Sequence, residues 1–270
     1  MPCGSYAASG PLNLVTWNVN SLKVRLPRVL ELLEAHRPDV VCLQETKSEP
    51  EAFPALELEA AGYQSVHHSA GRWAGVAVLA RSELGIEEAG RGLAGEPGPQ
   101  EARWVEAMVD GLRVISTYVI NGRALDSPMY PDKLRFLEAA GDRVAELRAA
   151  GETVALAGDF NVTRDDRDVY DPAAFAGGTH VTPEERAALD EVMRRGGLVD
   201  AYRYLHDGPE DVGYTWWDYR QGHFHRKMGL RLDYVLISEP LSGSLTACGI
   251  ERDFRKGTKP SDHAPLLARF

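Results

Sequence analysis

Ala155-Leu156-Ala157-Gly158-Asp159-Phe160-Asn161 begins as an apolar run suited to a buried strand and ends with an acid and an amide. Side chains alternate faces along a strand, so this spacing puts Asp159 and Asn161 on one side and turns Phe160 into the core between them. Gly158 gives the backbone freedom to turn, or lets a ligand come close. A carboxylate beside a carboxamide can hold a water, a metal ion or a phosphate oxygen. The same two residue types also serve turns, and this stretch by itself leaves both uses open.

Working outward, the arrangement recurs. Leu12 to Trp17 has strand character and runs into Asn18-Val19-Asn20-Ser21, where Asn18 and Asn20 repeat the same-face spacing. Asp39 to Gln44 is a short buried strand with Glu45 at its exit, and Gly75 to Ala80 is another, preceded by Arg72 and Trp73. Val105 to Val109 and Leu112 to Val119 predict a hairpin turning at Asp110-Gly111, whose second arm leaves through Tyr118-Val119-Ile120-Asn121-Gly122-Arg123. Leu232 to Ile237 reads as a strand carrying Asp233, a carboxylate that needs a partner if buried. Ser261-Asp262-His263-Ala264-Pro265 precedes a strand from Leu266 to Phe270. Polar residues thus gather where strands end, and strand ends on one edge of a sheet converge in space.

Between the strands, Leu26, Val29, Leu30 and Leu33 have helical spacing, with Pro27 in the first turn and Pro38 as the stop. A long helix is expected from Lys133 to Ala149, and another from a Thr182/Glu185 capping box to Gly196-Gly197. Residues 85–99, rich in Gly and Glu, and the Asp- and Arg-rich stretch after Asn161 read as loops. Tyr214-Thr215-Trp216-Trp217-Asp218-Tyr219-Arg220 sets four aromatic rings in a short polar segment.

At 270 residues, 44% hydrophobic and 26% charged, the composition is that of an ordinary soluble globular chain. No apolar run reaches the roughly 18 residues of a membrane helix. Residues 1–11 lack the basic and apolar regions of a secretory signal and read as a short disordered leader. Residues 12–270, without repeat or linker, read as one catalytic domain. Cys3, Cys42 and Cys248 have no metal-type spacing, and Cys42 suits a buried apolar site, which points to a reduced, cytoplasmic setting. A net charge of -10 counts against a general polyanion binder, although a local basic patch can focus the field.

The polar set is Asn18, Glu45, Asp159, Asn161, Asp233, Asp262 and His263. Carboxylates and carboxamides without thiolates favour a hard divalent cation, Mg²⁺ before Zn²⁺. Mg²⁺ bound by one or two carboxylates points to phosphoryl-group chemistry. His263 beside Asp262 is either an ordinary surface pair or, if held by a second carboxylate, an acid/base or phosphate-stabilising group. Asp233 is the natural second carboxylate.

Thr16-Trp17-Asn18-Val19-Asn20-Ser21-Leu22, Leu43-Gln44-Glu45-Thr46-Lys47, Gly158-Asp159-Phe160-Asn161, Arg231-Leu232-Asp233-Tyr234 and Ser261-Asp262-His263-Ala264-Pro265 together resemble the endonuclease/exonuclease/phosphatase superfamily, in its order. Tyr118 to Arg123 and Tyr214 to Trp217 narrow the likeness to the exonuclease III family of abasic-site (AP) endonucleases. It spans roughly residues 12–270; each short motif is weak alone, and the joint pattern is highly specific.

The resemblance implies an α/β four-layer sandwich of the DNase I kind, with two packed mixed β-sheets flanked by helices. It implies a Mg²⁺-dependent cut 5′ to abasic sites, with Mn²⁺ as a substitute, together with 3′-5′ exonuclease and 3′-phosphodiesterase or phosphatase activity in base excision repair. The implied partner is double-stranded DNA with abasic sites or blocked 3′ ends, met by a monomer in the cytoplasm, at the nucleoid, with no membrane. By motif match Glu45 is the main metal ligand, with Asn18 or Asp262 nearby. Asp159 activates or positions the attacking water, and Asn161 orients it or holds the phosphate. His263, paired with Asp233, binds the scissile phosphate, and Tyr118 assists there or at the leaving oxygen. Asp159, Asn161 and His263 are also implied as ligands of a second metal.

Trp216 matches an aromatic lining the pocket for a flipped-out abasic sugar, with Leu230 and Leu232 completing the wall, while Trp217 reads as core. Arg72, Asn121, Arg123, Arg220 and Arg231 are the candidate DNA contacts. The chain departs from the family at Ile120, where Pro is usual and whose change is expected to loosen the loop, and at Asn20, where some relatives carry an acid. Alternatives are a phosphoinositide phosphatase, a sphingomyelinase or a non-specific DNase on the same fold, and a DNA-binding or scaffold protein without catalysis. The tyrosine-asparagine loop and paired tryptophans favour DNA repair, and the presence of Glu45, Asp159 and His263 favours an enzyme.

Overall fold

The run that ends at Asp159 forms strand β8 (Val154–Asp159), which lies inside a sheet with a neighbour on each side. The computed structural model describes residues 10–270, so the leader expected over residues 1–11 lies almost wholly outside the described residues. One six-stranded sheet has the order β13 (Ala247–Ile250), β14 (Leu266–Arg269), β1 (Asn13–Asn18), β2 (Val40–Gln44), β4 (Val76–Arg81), β3 (Tyr63–His68). The other runs β5 (Glu87–Arg91), β6 (Trp104–Val109), β7 (Leu112–Tyr118), β8, β12 (Asp233–Ser238), β9 (Leu198–Asp200). Both are mixed: β1 and β2 are parallel, as are β7 and β8, and the remaining pairs are antiparallel. A two-stranded ribbon, β10 (Trp216–Trp217) with β11 (Gly229–Leu230), stands apart.

Alternation explains why the central strands read as unbroken apolar runs. Val40 and Cys42 face inward with Val76, Val105, Val114, Ala155 and Val235, in a cluster shared by both sheets. Val41 and Leu43 face outward, onto Val29, Leu32 and Leu33 of the helix Leu22–His36. On the opposite side Leu156 and Leu236 meet Phe136, Leu137, Leu189 and Val192 of the helices Met129–Ala149 and Pro183–Gly196. Strands buried on both faces between helices give the four layers.

Local chemistry sets the turns. Asp110 and Gly111 take φ values of 47° and 79°, the left-handed pair that a tight hairpin between β6 and β7 needs. Thr182 and Glu185 form the expected reciprocal cap. Elsewhere the structure corrects the sequence reading. Residues 87–91, expected in a loop, form an edge strand whose charged composition and bulge between Glu88 and Gly90 protect the edge. The helix expected from Lys133 starts a turn earlier, at Met129. The stretch after Asn161 is not all surface: Asp168, at the end of a short 3-10 turn, is fully buried. Ile120 is 3% exposed and packs in the outer core beside Val119, so it pins the loop it was expected to loosen. Cys42 and Cys248 are free and buried, and burial pushes both thiols up. No helix among the described residues is long and apolar enough to cross a membrane.

The registers carry the site. Tyr118 of β7 pairs with Asp159 of β8, which pairs with Asp233 of β12, so three functional side chains share one level at one rim. Asn18 ends β1 opposite Gln44, and β14 begins three residues after His263, antiparallel to β1. Trp17 Nε1 donates to the His263 carbonyl at 3.0 Å, tying the first sheet's rim to the loop that carries the histidine.

Candidate active site

Two turns of the same kind build the rim. The N–H of Asn161 donates to Asp159 Oδ1 at 2.9 Å, and the N–H of Asn20 donates to Asn18 Oδ1 at 3.0 Å. Asn161 and Asn20 have φ of 52° and 45°, so neither continues its strand, and the alternation expected from spacing stops at Asp159 and Asn18. Of the two uses left open by the sequence, the turn is realised: one Asp159 oxygen closes it, and the other accepts from Asn18. Gly158 serves neither, because a Cβ there would lie 2.0 Å from the Thr117 carbonyl oxygen of the neighbouring strand.

Asp159 Oδ2 accepts from Asn18 Nδ2 at 2.9 Å and lies 3.6 Å from His263 Nε2. His263 Nδ1 lies 2.8 Å from Asp233 Oδ2, which makes a carboxylate–imidazole–carboxylate row. Burial by itself lowers the imidazole, but Asp233 and Asp159 outweigh it and raise the group to about 10. Burial pushes the Asp159 carboxyl up to about 7; the His263 charge opposes this, and Asp233 and Glu45 add to it. Asp233 Oδ1 is buried with no hydrogen-bond partner among the described residues. Ser261 orders the loop by donating to the Asn18 carbonyl at 2.6 Å and accepting from the His263 N–H at 3.2 Å.

Glu45, with φ 51°, turns out of β2 and accepts from the same Asn18 amide at 2.7 Å. Its second oxygen lies 3.0 Å from Lys47 Nζ, which also donates to Asn20 Oδ1 at 2.7 Å. Ligand atoms of Glu45, Asp159 and His263 lie within 4.8 Å of one another. Asn18 gives its amide nitrogen to both carboxylates, and its oxygen accepts from the Asn20 N–H. Asp262 stands beside this group: its oxygens accept from Trp216 Nε1 at 3.0 Å and Asn20 Nδ2 at 3.2 Å. Asn20, the departure from the family pattern, therefore joins Asp262 to Lys47.

Tyr118 is half-buried at the same level, with its ring 4.9 Å from the Arg103 guanidinium. Burial, then the charges of Glu45 and Asp159, push its phenol well up, so it keeps its proton. Asn121 Nδ2 donates to Asn161 Oδ1 at 3.1 Å, and Asn161 Nδ2 to the Val119 carbonyl at 2.9 Å. Trp216 is half-buried and packs on the buried Leu230 and Leu232 and on Val169, while Trp217 is 2% exposed in the core.

The arginines divide. Arg231 is a correction: it is fully buried, with Nε and Nη2 at 2.8 and 2.9 Å from the two oxygens of Asp168 and Nη1 2.8 Å from Asp200, out of reach of DNA. Its apolar neighbours Leu230 and Leu232 were the signal for burial. Arg220 is gripped by Asp218. Arg72 is exposed beside the exposed ring of Trp73, and Arg123 is exposed with its N–H on Asn121 Oδ1. Sequence reasoning missed Lys47, although it stands in the Glu45 motif, and Lys133, whose buried ammonium reaches the Asn161 carbonyl.

The donor set suits a hard divalent cation: Glu45 and Asp159 are two carboxylates held together by one neutral amide.

The endonuclease/exonuclease/phosphatase family matches the chain over residues 15–263. The exodeoxyribonuclease III of Haemophilus influenzae is 30% identical, over 96% of this chain and all of that protein. A 3′ phosphatase from Neisseria, solved with a product DNA hairpin, has a TM-score of 0.90 at 36% identity, covering 95% of this chain and 98% of that one. An AP endonuclease from Archaeoglobus fulgidus has a TM-score of 0.89 at 33% identity, with the same coverage.

Proposed function

The chain belongs to the endonuclease/exonuclease/phosphatase family, in its exodeoxyribonuclease III branch, and we propose that it is a Mg²⁺-dependent DNA phosphodiesterase that incises 5′ to abasic sites and clears blocked 3′ ends in base excision repair. The observation that carries the reading is the Asp233–His263–Asp159 row facing Glu45 across the Asn18 amide. Nicking 5′ to an abasic site, removing a 3′-phosphate and releasing a 3′-terminal nucleotide all break the same P–O3′ bond. One site serves all three if it binds a phosphate, activates a water and steadies the departing O3′.

The residues divide these tasks. Asp159, whose Oδ2 lies 3.6 Å from His263 Nε2, takes the proton of the water whose oxygen attacks phosphorus. The His263 imidazolium, fixed by Asp233, neutralises a phosphate oxygen as charge builds there. Its Nδ1 is taken by Asp233 and its Nε2 is turned toward Asp159, and we assign it to phosphate. Tyr118 keeps its proton and donates a hydrogen bond at the phosphate or at O3′. Asn161 and Asn121, linked amide to amide, orient the water and the adjoining phosphate. Glu45 and Asp159 would hold the cation, with Asp262 near, and its charge would lower the repulsion between phosphate and nucleophile. Trp216 on Leu230 and Leu232 suits an abasic sugar, which is small enough to enter where a nucleotide is not.

A duplex with one abasic-site analogue and a second with a 3′-phosphate, each with Mg²⁺ or EDTA, test this against undamaged DNA. The expected result is a Mg²⁺-dependent nick 5′ to the analogue and release of phosphate, with little attack on the control. Intact DNA with every divalent metal would overturn the reading in favour of a lipid or small phosphorylated substrate.

A further inference from the structure

Behind the cleft lies a charged pair that the chemistry above does not use. Lys133, on the helix Met129–Ala149, and Glu185, in the first turn of the helix Pro183–Gly196, are both fully buried, with Nζ 2.5 Å from Oε1. An ion pair joining two helices needs only those two groups, and burying it is costly. Here the ammonium reaches further. It donates to the main-chain carbonyl of Asn161 at 2.6 Å and to that of Asn121 at 3.2 Å, with Thr179 Oγ1 also at 3.2 Å. These two asparagines are bonded to each other through their side chains on the cleft side, at 3.1 Å. Asn161 also holds a left-handed backbone, which persists only where its surroundings enforce it. His180 Nδ1, 2.6 Å from the same Asn161 oxygen, adds a second grip.

We propose that Lys133 is a positioning residue: its buried ammonium, anchored by Glu185, clamps the Asn121 and Asn161 carbonyls from behind and so fixes the two amides that meet the phosphate. The inference rests on the phosphodiesterase reading for its kinetic test and on geometry alone for its second.

The tests compare wild type with Lys133→Met and with Lys133→Met/Glu185→Gln. The double variant leaves no unpaired buried charge and keeps a residue competent for the capping box. The single variant is expected to lose both Tm and kcat. The double variant is expected to recover most of the Tm while kcat on abasic-site DNA stays down at least about tenfold, with KM within about twofold. The side-chain amide protons of Asn121 and Asn161, followed by NMR without substrate, are expected to exchange faster in the double variant. If kcat and slow amide exchange return together with Tm, or if the double variant fails to fold, the pair is a structural tie and the clamp is wrong. Wild-type protein inactive on all DNA would overturn the phosphodiesterase reading instead, and the amide exchange would still judge the clamp.

Discussion

Two aspartates in this protein are buried to the same degree and behave in opposite ways. Asp168 is 0% exposed and Asp159 is 1% exposed. Burial would raise both carboxyls, but Arg231 and Arg203 outweigh it at Asp168 and hold that group below the usual range. Asp159 goes up to about 7. Around Asp168 its own carboxylate and those of Asp200 and Asp190 face the guanidiniums of Arg231, Arg203 and Arg164, and Arg231 also stacks on Tyr234 and Tyr202. Around Asp159 the carboxylates of Glu45, Asp233 and Asp262 outnumber the cations His263 and Lys47. The charge-balanced cluster is closed; the unbalanced one keeps an excess of negative charge. A buried acid is therefore read by what faces it, and burial alone says little.

The contrast is open to experiment, and the largest effect is expected on its catalytic side. Asp159→Asn or His263→Ala should lower kcat by about 10³-fold with an unchanged circular-dichroism spectrum. A collapsed spectrum would make these residues structural and erase the distinction. On the other side, Arg231→Met leaves Asp168 to Arg203 alone and takes from Asp200 its partner at 2.8 Å, and denaturant titration should find a loss of about 3 kcal/mol while the folded fraction keeps its kcat. Normal stability with weakened DNA binding would return Arg231 to the interface.

Acid and base separate the two aspartates more finely. The folded pKa of Asp168 is depressed, so its contribution is full above the ordinary value of 3.8 and is lost as pH falls through the lower folded value. That of Asp159 is raised, so its contribution is full below 3.8 and is lost as pH rises through about 7. Without metal, Asp168→Asn should flatten the acid limb of the Tm profile, and Asp159→Asn should flatten the decline between those two values. The same change in both variants would show that the clusters do not differ. The smallest effect is expected at the rim: Arg72→Ala should raise KM for DNA about twofold and reduce the salt slope by about one.

How legible each part was follows the same physics. Strands β1, β2, β4, β7, β8 and β12 are buried on both faces, and their apolar runs announce them. β3 carries Gln64, Ser65, His67 and His68, β9 is three residues long and β5 reads Glu-Glu-Ala-Gly-Arg, so hydrophobicity gives no sign of them. At the site, polar residues leaving apolar strands marked Asn18, Glu45, Asp159, Asn161, Asp233, Asp262 and His263, and a chain of contacts does link them. The spacing could not reveal the turns at Asn161 and Asn20, since strand geometry was carried two residues past the strand ends. Nor could it reveal Lys133, which resembles any solvent-facing helical lysine until two loops fold over it.

The link from Trp17 to the His263 carbonyl joins positions 246 apart, and Glu45 and Asp159 lie between them in the chain. No stretch of polypeptide much shorter than residues 18–263 contains the site. A protease that clips the molecule anywhere between those positions leaves pieces that cannot cut DNA once they separate.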